Sequence, residues 1–171
     1  HDALPIYRAF VTNPNQAETF AELKDIQPSV PHNVSNAMAA AGLALAIGIP
    51  HPVVQEGLRE FQIDHHRLEL VLSLNGIAWV NDSKATNPHA AKAALSSYLS
   101  NIWIAGGLAK GARMTDLISK AASKIKAAIL IGTDRELIAE ELERLAPQVK
   151  IHRIDLISNS EELMNQVVLK A

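Results

Sequence analysis

The sequence predicts an α/β fold: a mostly parallel sheet with helices on both faces, preceded by a partial, mainly helical segment. Three observations carry that expectation. From Trp79 onward, short apolar runs alternate with helical patterns, the order that βαβ units produce. The helical patterns are amphipathic, so each has one face to lay on a sheet, and the sheet is covered on both sides. Hydrophobic residues make up 48% of the 171, enough to build such a core and too many for a disordered chain.

Taken in order, residues 1–31 are irregular, with "TNPNQ" and "QPSVP" as turn clusters. Within them "IYRAFV" and "AETFAEL" read as short strand or edge pieces. The segment from Asn33, "NVSNAMAAAGLALAIG", is apolar almost all round and rich in helix formers, so it reads as a buried helix. Gly48 and Pro50 supply its stop. A second helix is predicted over "HPVVQEGLREF", with Pro52 near its start and apolar residues at Val54, Leu58 and Phe61.

After the polar bridge "QIDHHRLE" the pattern changes. "LELVLSL" and "IAWVND" flank Asn75-Gly76, the strongest short hairpin signal there is. The strands that follow read "IAWVN", "NIWIAGG", "AAILIGT" and "KIHRID", with helices between them and one after the last. Met114, Leu117, Ile118, Ala121, Ala122 and Ile125 make one helical stripe, and Ile138, Leu142 and Leu145 make the next. The chain ends within a helical pattern, "SEELMNQVVLKA". Both ends look cut, so a fragment of a longer protein is expected.

Composition narrows the function. Sixteen Lys and Arg stand against 18 Asp and Glu, a balance that argues against a nucleic-acid surface or a polybasic membrane patch. Without Cys, neither a disulfide framework nor a thiolate metal site can form. No apolar run approaches the ~18 residues that span a bilayer, and no signal-peptide pattern opens the chain. A cytoplasmic protein that does not engage a membrane is expected. His65-His66 are adjacent, a spacing that rarely ligates one metal, and no other His pattern suggests zinc.

Three strand-to-helix or pre-helix loops carry possible chemistry, because ligands of parallel sheets bind beyond the carboxyl ends of the strands. In "VNDSKATNP" the residues Asp, Ser, Asn and Pro are turn and cap formers, with Asn87 the N-cap and Pro88 in the first turn. Lys84 and Thr86 are not required by that turn. Beside a helix N-terminus they favour an anion, and Asp82 could accept from ribose hydroxyls or hold a metal. In "AGGLAKGAR", Gly106 and Gly111 have P-loop spacing, but Ala112-Arg113 stand where Lys-Ser/Thr belongs, so it is not a Walker A motif. Lys110 there stands where a carboxylate or phosphate can be reached. In "PHNVSNA", Asn33 and Asn36 are three apart at a helix start, with Asn33 as a simple N-cap the local alternative.

Together, "HNVSNAMAAAGLALAIGIP", "DHHRLE", "VNDSKATNPHAAKAAL" and "IAGGLAKGA" resemble the Mur ligases, ATP-dependent amide-bond formers of peptidoglycan and cell-wall synthesis. "NDSKATNP" is the most specific of the four and resembles the D-glutamate-adding branch. The resemblance implies that residues 1–64 are the incomplete end of a central ATPase domain. It implies that residues 65–171 are a truncated, Rossmann-like amino-acid-binding domain. By position, Asn33 and Asn36 match residues at the adenine of ATP, Arg67 one at its phosphates and Asp82 one at its ribose. Lys84 matches a lysine facing the reaction centre, the catalytic candidate, while Thr86 and Lys110 match residues holding the carboxylates of D-glutamate.

The implied substrates are UDP-N-acetylmuramoyl-L-alanine, D-glutamate and ATP, with Mg²⁺, in an enzyme expected to be monomeric. No Walker A motif and no metal-associated lysine of the family occur in these 171 residues. The main metal and phosphate ligands are therefore expected outside them, and the fragment alone is expected to be inactive. Two alternatives stay open: another Mur or folylpolyglutamate-type ligase, and a non-catalytic α/β module that binds a nucleotide or an amino acid.

Overall fold

A computed structural model describes residues 5–7, 19–107, 111 and 113–171. Two compact units divide between Leu68 and Glu69.

In the first unit, strands β1 (Pro5–Tyr7) and β2 (Thr19–Glu22) pair antiparallel; β2 lies within "AETFAEL", whereas β1 starts one residue before "IYRAFV" and shares only Ile6 and Tyr7 with it. Helices α1 (Pro31–Ala46) and α2 (His51–Glu60) follow. Ala21 and Ile26 are buried here, with Val34, Ala37, Met38 and Leu45 of α1 and Leu58 of α2 packed against them. Two expectations change. In α1 only Ala41 is buried, and Leu43 is 72% exposed, because the ribbon and α2 offer apolar surface to one side of a helix that is apolar on all sides. Phe61 lies past the end of α2 as its C-cap, in extended conformation and 67% exposed, so it does not extend the Val54–Leu58 stripe.

The second unit opens with a hairpin, β3 (Glu69–Leu74) and β4 (Ile77–Asn81), paired antiparallel. Its turn has φ of 52° at Asn75 and 79° at Gly76. Two successive left-handed residues match the right-handed twist of the strands, which is why Asn-Gly marks such turns. β4 therefore belongs to this ribbon, whereas the alternating pattern had placed it among the parallel strands.

The parallel sheet is β5 (Asn101–Gly106), β6 (Ile125–Ile131) and β7 (Lys150–Arg153), in that order. Helices α3 (Pro88–Ser96), α4 (Thr115–Ala121), α5 (Arg135–Leu145) and α6 (Ser160–Lys170) connect and follow the strands. Successive side chains of a strand face opposite ways, and β6 is buried on both faces. Ala128 and Leu130 join Leu95 of α3, Leu117, Ile118 and Ala121 of α4, and Ile138, Ala139 and Leu142 of α5. Ile129 packs instead with Ile154 and with Val167 of α6. The expected parallel sheet with helices on both faces is what forms. One boundary differs: α4 stops at Ala121, a 3-10 turn spans Ala122–Lys124, and Ile125 begins β6. Ile125 is buried as the stripe predicts, but as a strand residue.

A surface ion network ties α3 to α4. Asp116 accepts from Lys92 at 2.7 Å and from Lys120, one turn on, at 2.8 Å. Those bonds, from Lys120 first and then Lys92, bring its carboxyl down from 3.8 to about 2. A lowered carboxylate pKa stabilises the fold fully above the unfolded value and loses that contribution as pH falls through the folded one. The melting temperature of the native chain should therefore exceed that of Asp116→Asn by a constant margin above about pH 5, with the margin shrinking between about pH 4 and pH 2. Thermal melts of both across that range check it; a margin independent of pH would contradict it.

Candidate functional site

The chain leaves β4 at Asn81 and enters α3 at Pro88, and backbone geometry fixes the turn between them. Asn81 Oδ1 accepts from Ser83 N–H at 3.1 Å. Asp82 C=O accepts from Ala85 N–H at 2.8 Å, and Lys84 C=O from Thr86 N–H at 2.9 Å. Asn87 is extended, with φ −143° and ψ 158°, and its Oδ1 accepts from Ala90 N–H at 2.9 Å. This is the predicted N-cap, followed by the predicted proline at the first helical position. An asparagine side chain thus closes each end of the turn, with the Asp82 and Lys84 carbonyls holding its middle.

Within that turn Asp82 is half-buried, while Lys84 and Thr86 are exposed. The structure brings these three together in one short loop before a helix N-terminus, the arrangement that suits an anion. Burial pushes the Tyr98 phenol up, and the Asp82 carboxylate adds to the shift. Tyr98 therefore shares the electrostatic surroundings of Asp82. It follows α3 by two residues.

The second loop leaves β5 at Gly106. Lys110 lies outside the described residues, as do 108, 109 and 112. Gly107 and Gly111 both take positive φ, 97° and 75°.

The remaining candidates stand in the first unit. Asn33 is not the N-cap of α1: Val30 holds that position, with Pro31 first in the helix. Proline needs no donor there and brings its own fixed φ, so the helix starts two residues earlier than expected. Asn33 is half-buried and donates through Nδ2 to Pro28 C=O at 3.0 Å, which orients its amide. Asn36, one turn on, is exposed. Arg67 Nε lies 3.6 Å from Asp64 Oδ2, with both side chains more than half exposed, a pairing that contributes little to stability. Among the described residues no group of three or more His, Asp or Glu side chains is placed to hold a metal ion.

A parallel α/β sheet, in a unit that also carries the loop of Asp82, Lys84 and Thr86 between the β3–β4 ribbon and a capped helix, defines the class: an α/β domain. Comparison with known proteins makes the class particular. Residues 66–171 match the family described as "Mur ligase, glutamate ligase domain". The chain belongs to the Mur ligase family.

It is 47% identical over 171 residues to a UDP-N-acetylmuramoylalanine--D-glutamate ligase of Streptomyces coelicolor, covering 99% of this chain and 36% of that protein. A relative of the same name from Thermobifida fusca is 46% identical over 169 residues, covering 98% and 36%. The chain thus spans about a third of the length of these relatives. A crystal structure of MurF from Acinetobacter baumannii superposes with a TM-score of 0.52 at 18% identity, covering 92% of this chain and 41% of that one. At that identity the likeness speaks for the fold alone.

Proposed function

We propose that the protein containing this chain is the ATP-dependent ligase that joins D-glutamate to UDP-N-acetylmuramoyl-L-alanine, a cytoplasmic step in peptidoglycan precursor synthesis. The observation that carries this reading is the Asp82–Thr86 loop, with a carboxylate, a cation and a hydroxyl gathered before α3. Relatives that bear the D-glutamate ligase name at 46–47% identity support it. Residues 1–64 are read as the end of the central ATPase domain and residues 65–171 as most of the amino-acid-binding domain. No helix among the described residues is long and apolar enough to cross a membrane.

The chemistry follows from the charge that each step gathers. ATP transfers its terminal phosphoryl group to the L-alanyl carboxylate, giving an acyl phosphate and ADP. The amine of D-glutamate then attacks the acyl carbon, a tetrahedral oxyanion forms, and phosphate leaves as the amide is made. Lys84, exposed on the loop, supplies a fixed cation to that developing charge, where preorganised donors have their largest effect. Thr86 and Lys110 bind the D-glutamate carboxylates and so set the direction from which the amine arrives. Asp82 accepts from the ribose of ATP, Asn33 and Asn36 meet the adenine, and Arg67 meets the phosphates. Mg²⁺, when bound, neutralises the transferring phosphates; the described residues gather no ligand set for it.

An amino-acid panel on the longer protein tests the reading. With UDP-N-acetylmuramoyl-L-alanine and ATP, phosphate release should depend on D-glutamate and stay at background with meso-diaminopimelate, L-lysine or L-glutamate. Turnover with meso-diaminopimelate and none with D-glutamate would move the chain to another branch of the family.

A further inference from the structure

Among the described residues, three other than glycine take positive φ: His66 at 67°, Leu68 at 47° and Asn75 at 52°. Asn75 serves the β3–β4 turn, where the hairpin requires that conformation. The other two serve no hairpin. They stand immediately before and after Arg67, in the segment that ends the first unit. In this conformation a Cβ crowds the following carbonyl oxygen, so a residue other than glycine holds it only where its surroundings compel it.

The two positions tolerate that strain differently. Histidine, like asparagine and aspartate, enters the left-handed region several-fold more often than other side chains. Leucine does not, but Leu68 is only 6% exposed, and burial of its apolar side chain offsets the conformational penalty. Leu68 therefore anchors the chain on one side of Arg67, and His66 turns it on the other. The Arg67 side chain is itself held weakly, by an exposed ion pair with Asp64 at 3.6 Å. The backbone on either side thus sets the direction in which the guanidinium leaves the chain. Moving His66 from φ of 67° to the ordinary right-handed value would turn the chain by roughly 130° about one N–Cα bond, and Arg67 would leave in another direction.

We infer that the left-handed backbone at His66 and Leu68 is a positioning device for Arg67, presenting its guanidinium to the phosphates of ATP. The inference rests on the reading of Arg67 as a phosphate contact. What His66 contributes is then its φ and not its imidazole. Displacement by about 1 Å at a substrate-positioning group costs up to about a hundredfold, and a backbone rotation of that size one residue away moves a long side chain further.

The test uses the longer protein, with steady-state KM values for ATP and D-glutamate and a thermal melt of each variant. Replacing His66 by residues of decreasing tolerance for positive φ gives a graded series. His66→Asn, which keeps the conformation without the imidazole, should leave the KM for ATP within about twofold of wild type. His66→Ala should raise it about threefold or more, and His66→Val, β-branched, about tenfold or more. The KM for D-glutamate should stay within about twofold throughout. The alanine variant keeps the test decisive where valine impairs folding. A KM for ATP unchanged by alanine and valine, or raised equally by all three replacements, overturns the inference, as does an equal rise for D-glutamate. Arg67→Ala separates the two readings. If it raises the KM for ATP while the His66 series does not, only the positioning role falls. If it leaves that KM unchanged, the phosphate reading of Arg67 falls and takes the inference with it.

Discussion

Lys84→Ala in the longer ligase should lower kcat for D-glutamate addition by roughly a hundred- to a thousandfold, the scale set by removing one preorganised donor from an acyl-transfer transition state. The KM for UDP-N-acetylmuramoyl-L-alanine should change little, because the charge that Lys84 meets exists chiefly after the amine has attacked. The fold should not suffer. The turn is held by Asn81 Oδ1 on Ser83 N–H and by Asn87 Oδ1 on Ala90 N–H, and the Lys84 side chain is exposed. Pre-steady-state and steady-state rates beside a thermal melt would check this. A kcat within a few-fold of wild type, with normal stability, would remove Lys84 from the reaction centre.

The largest stability effect is expected in the core of the second unit. Leu142 of α5 is fully buried among Leu117, Ile118, Ala139 and the inward side chains of β6. Leu142→Ala should cost about 3 kcal/mol, the lost transfer energy plus that of a cavity ringed by residues already close-packed. Leu137, its neighbour on the same helix, is 56% exposed, and Leu137→Ala should stay within about 0.5 kcal/mol. Both tryptophans, Trp79 and Trp103, lie in the second unit, so tryptophan fluorescence during urea unfolding reports on that unit alone. Equal effects from the two substitutions would contradict the placement of α5.

How far these features were legible in the sequence depended on whether a local rule or a tertiary contact decided them. Asn75-Gly76 announced its hairpin and Asn87-Pro88 its capped helix, since in each case the residues themselves impose the dihedral or supply the acceptor. Pro31 could have announced the start of α1, but Asn33 has the stronger capping propensity and drew the boundary two residues late. Periodicity carried α4 too far because an apolar residue at the next helical position, Ile125, serves equally well as the first buried residue of a strand. The all-round apolar character of α1 marks surface that can be buried, whereas burial depends on what else is present to cover it.

The site divides along the same line. That Asp82, Lys84 and Thr86 share one loop before α3 followed from chain order, but its expected place at the edge of the parallel sheet did not hold, because β4 pairs into the antiparallel ribbon. The hydrogen bond from Asn33 to Pro28, the placement of Tyr98 near Asp82 and the left-handed backbone at His66 and Leu68 had no such source. Each depends on a backbone path that no local pattern encodes.

The fate of one oxygen atom tests the account most directly. UDP-N-acetylmuramoyl-L-alanine labelled with heavy oxygen in its L-alanyl carboxylate, given to the longer enzyme with ATP and D-glutamate, should yield the D-glutamyl amide. One labelled oxygen should appear in the released phosphate for each amide formed, because the acyl phosphate carries that oxygen away. Unlabelled phosphate, or labelled phosphate without a D-glutamyl product, would contradict the ligase proposed for this chain.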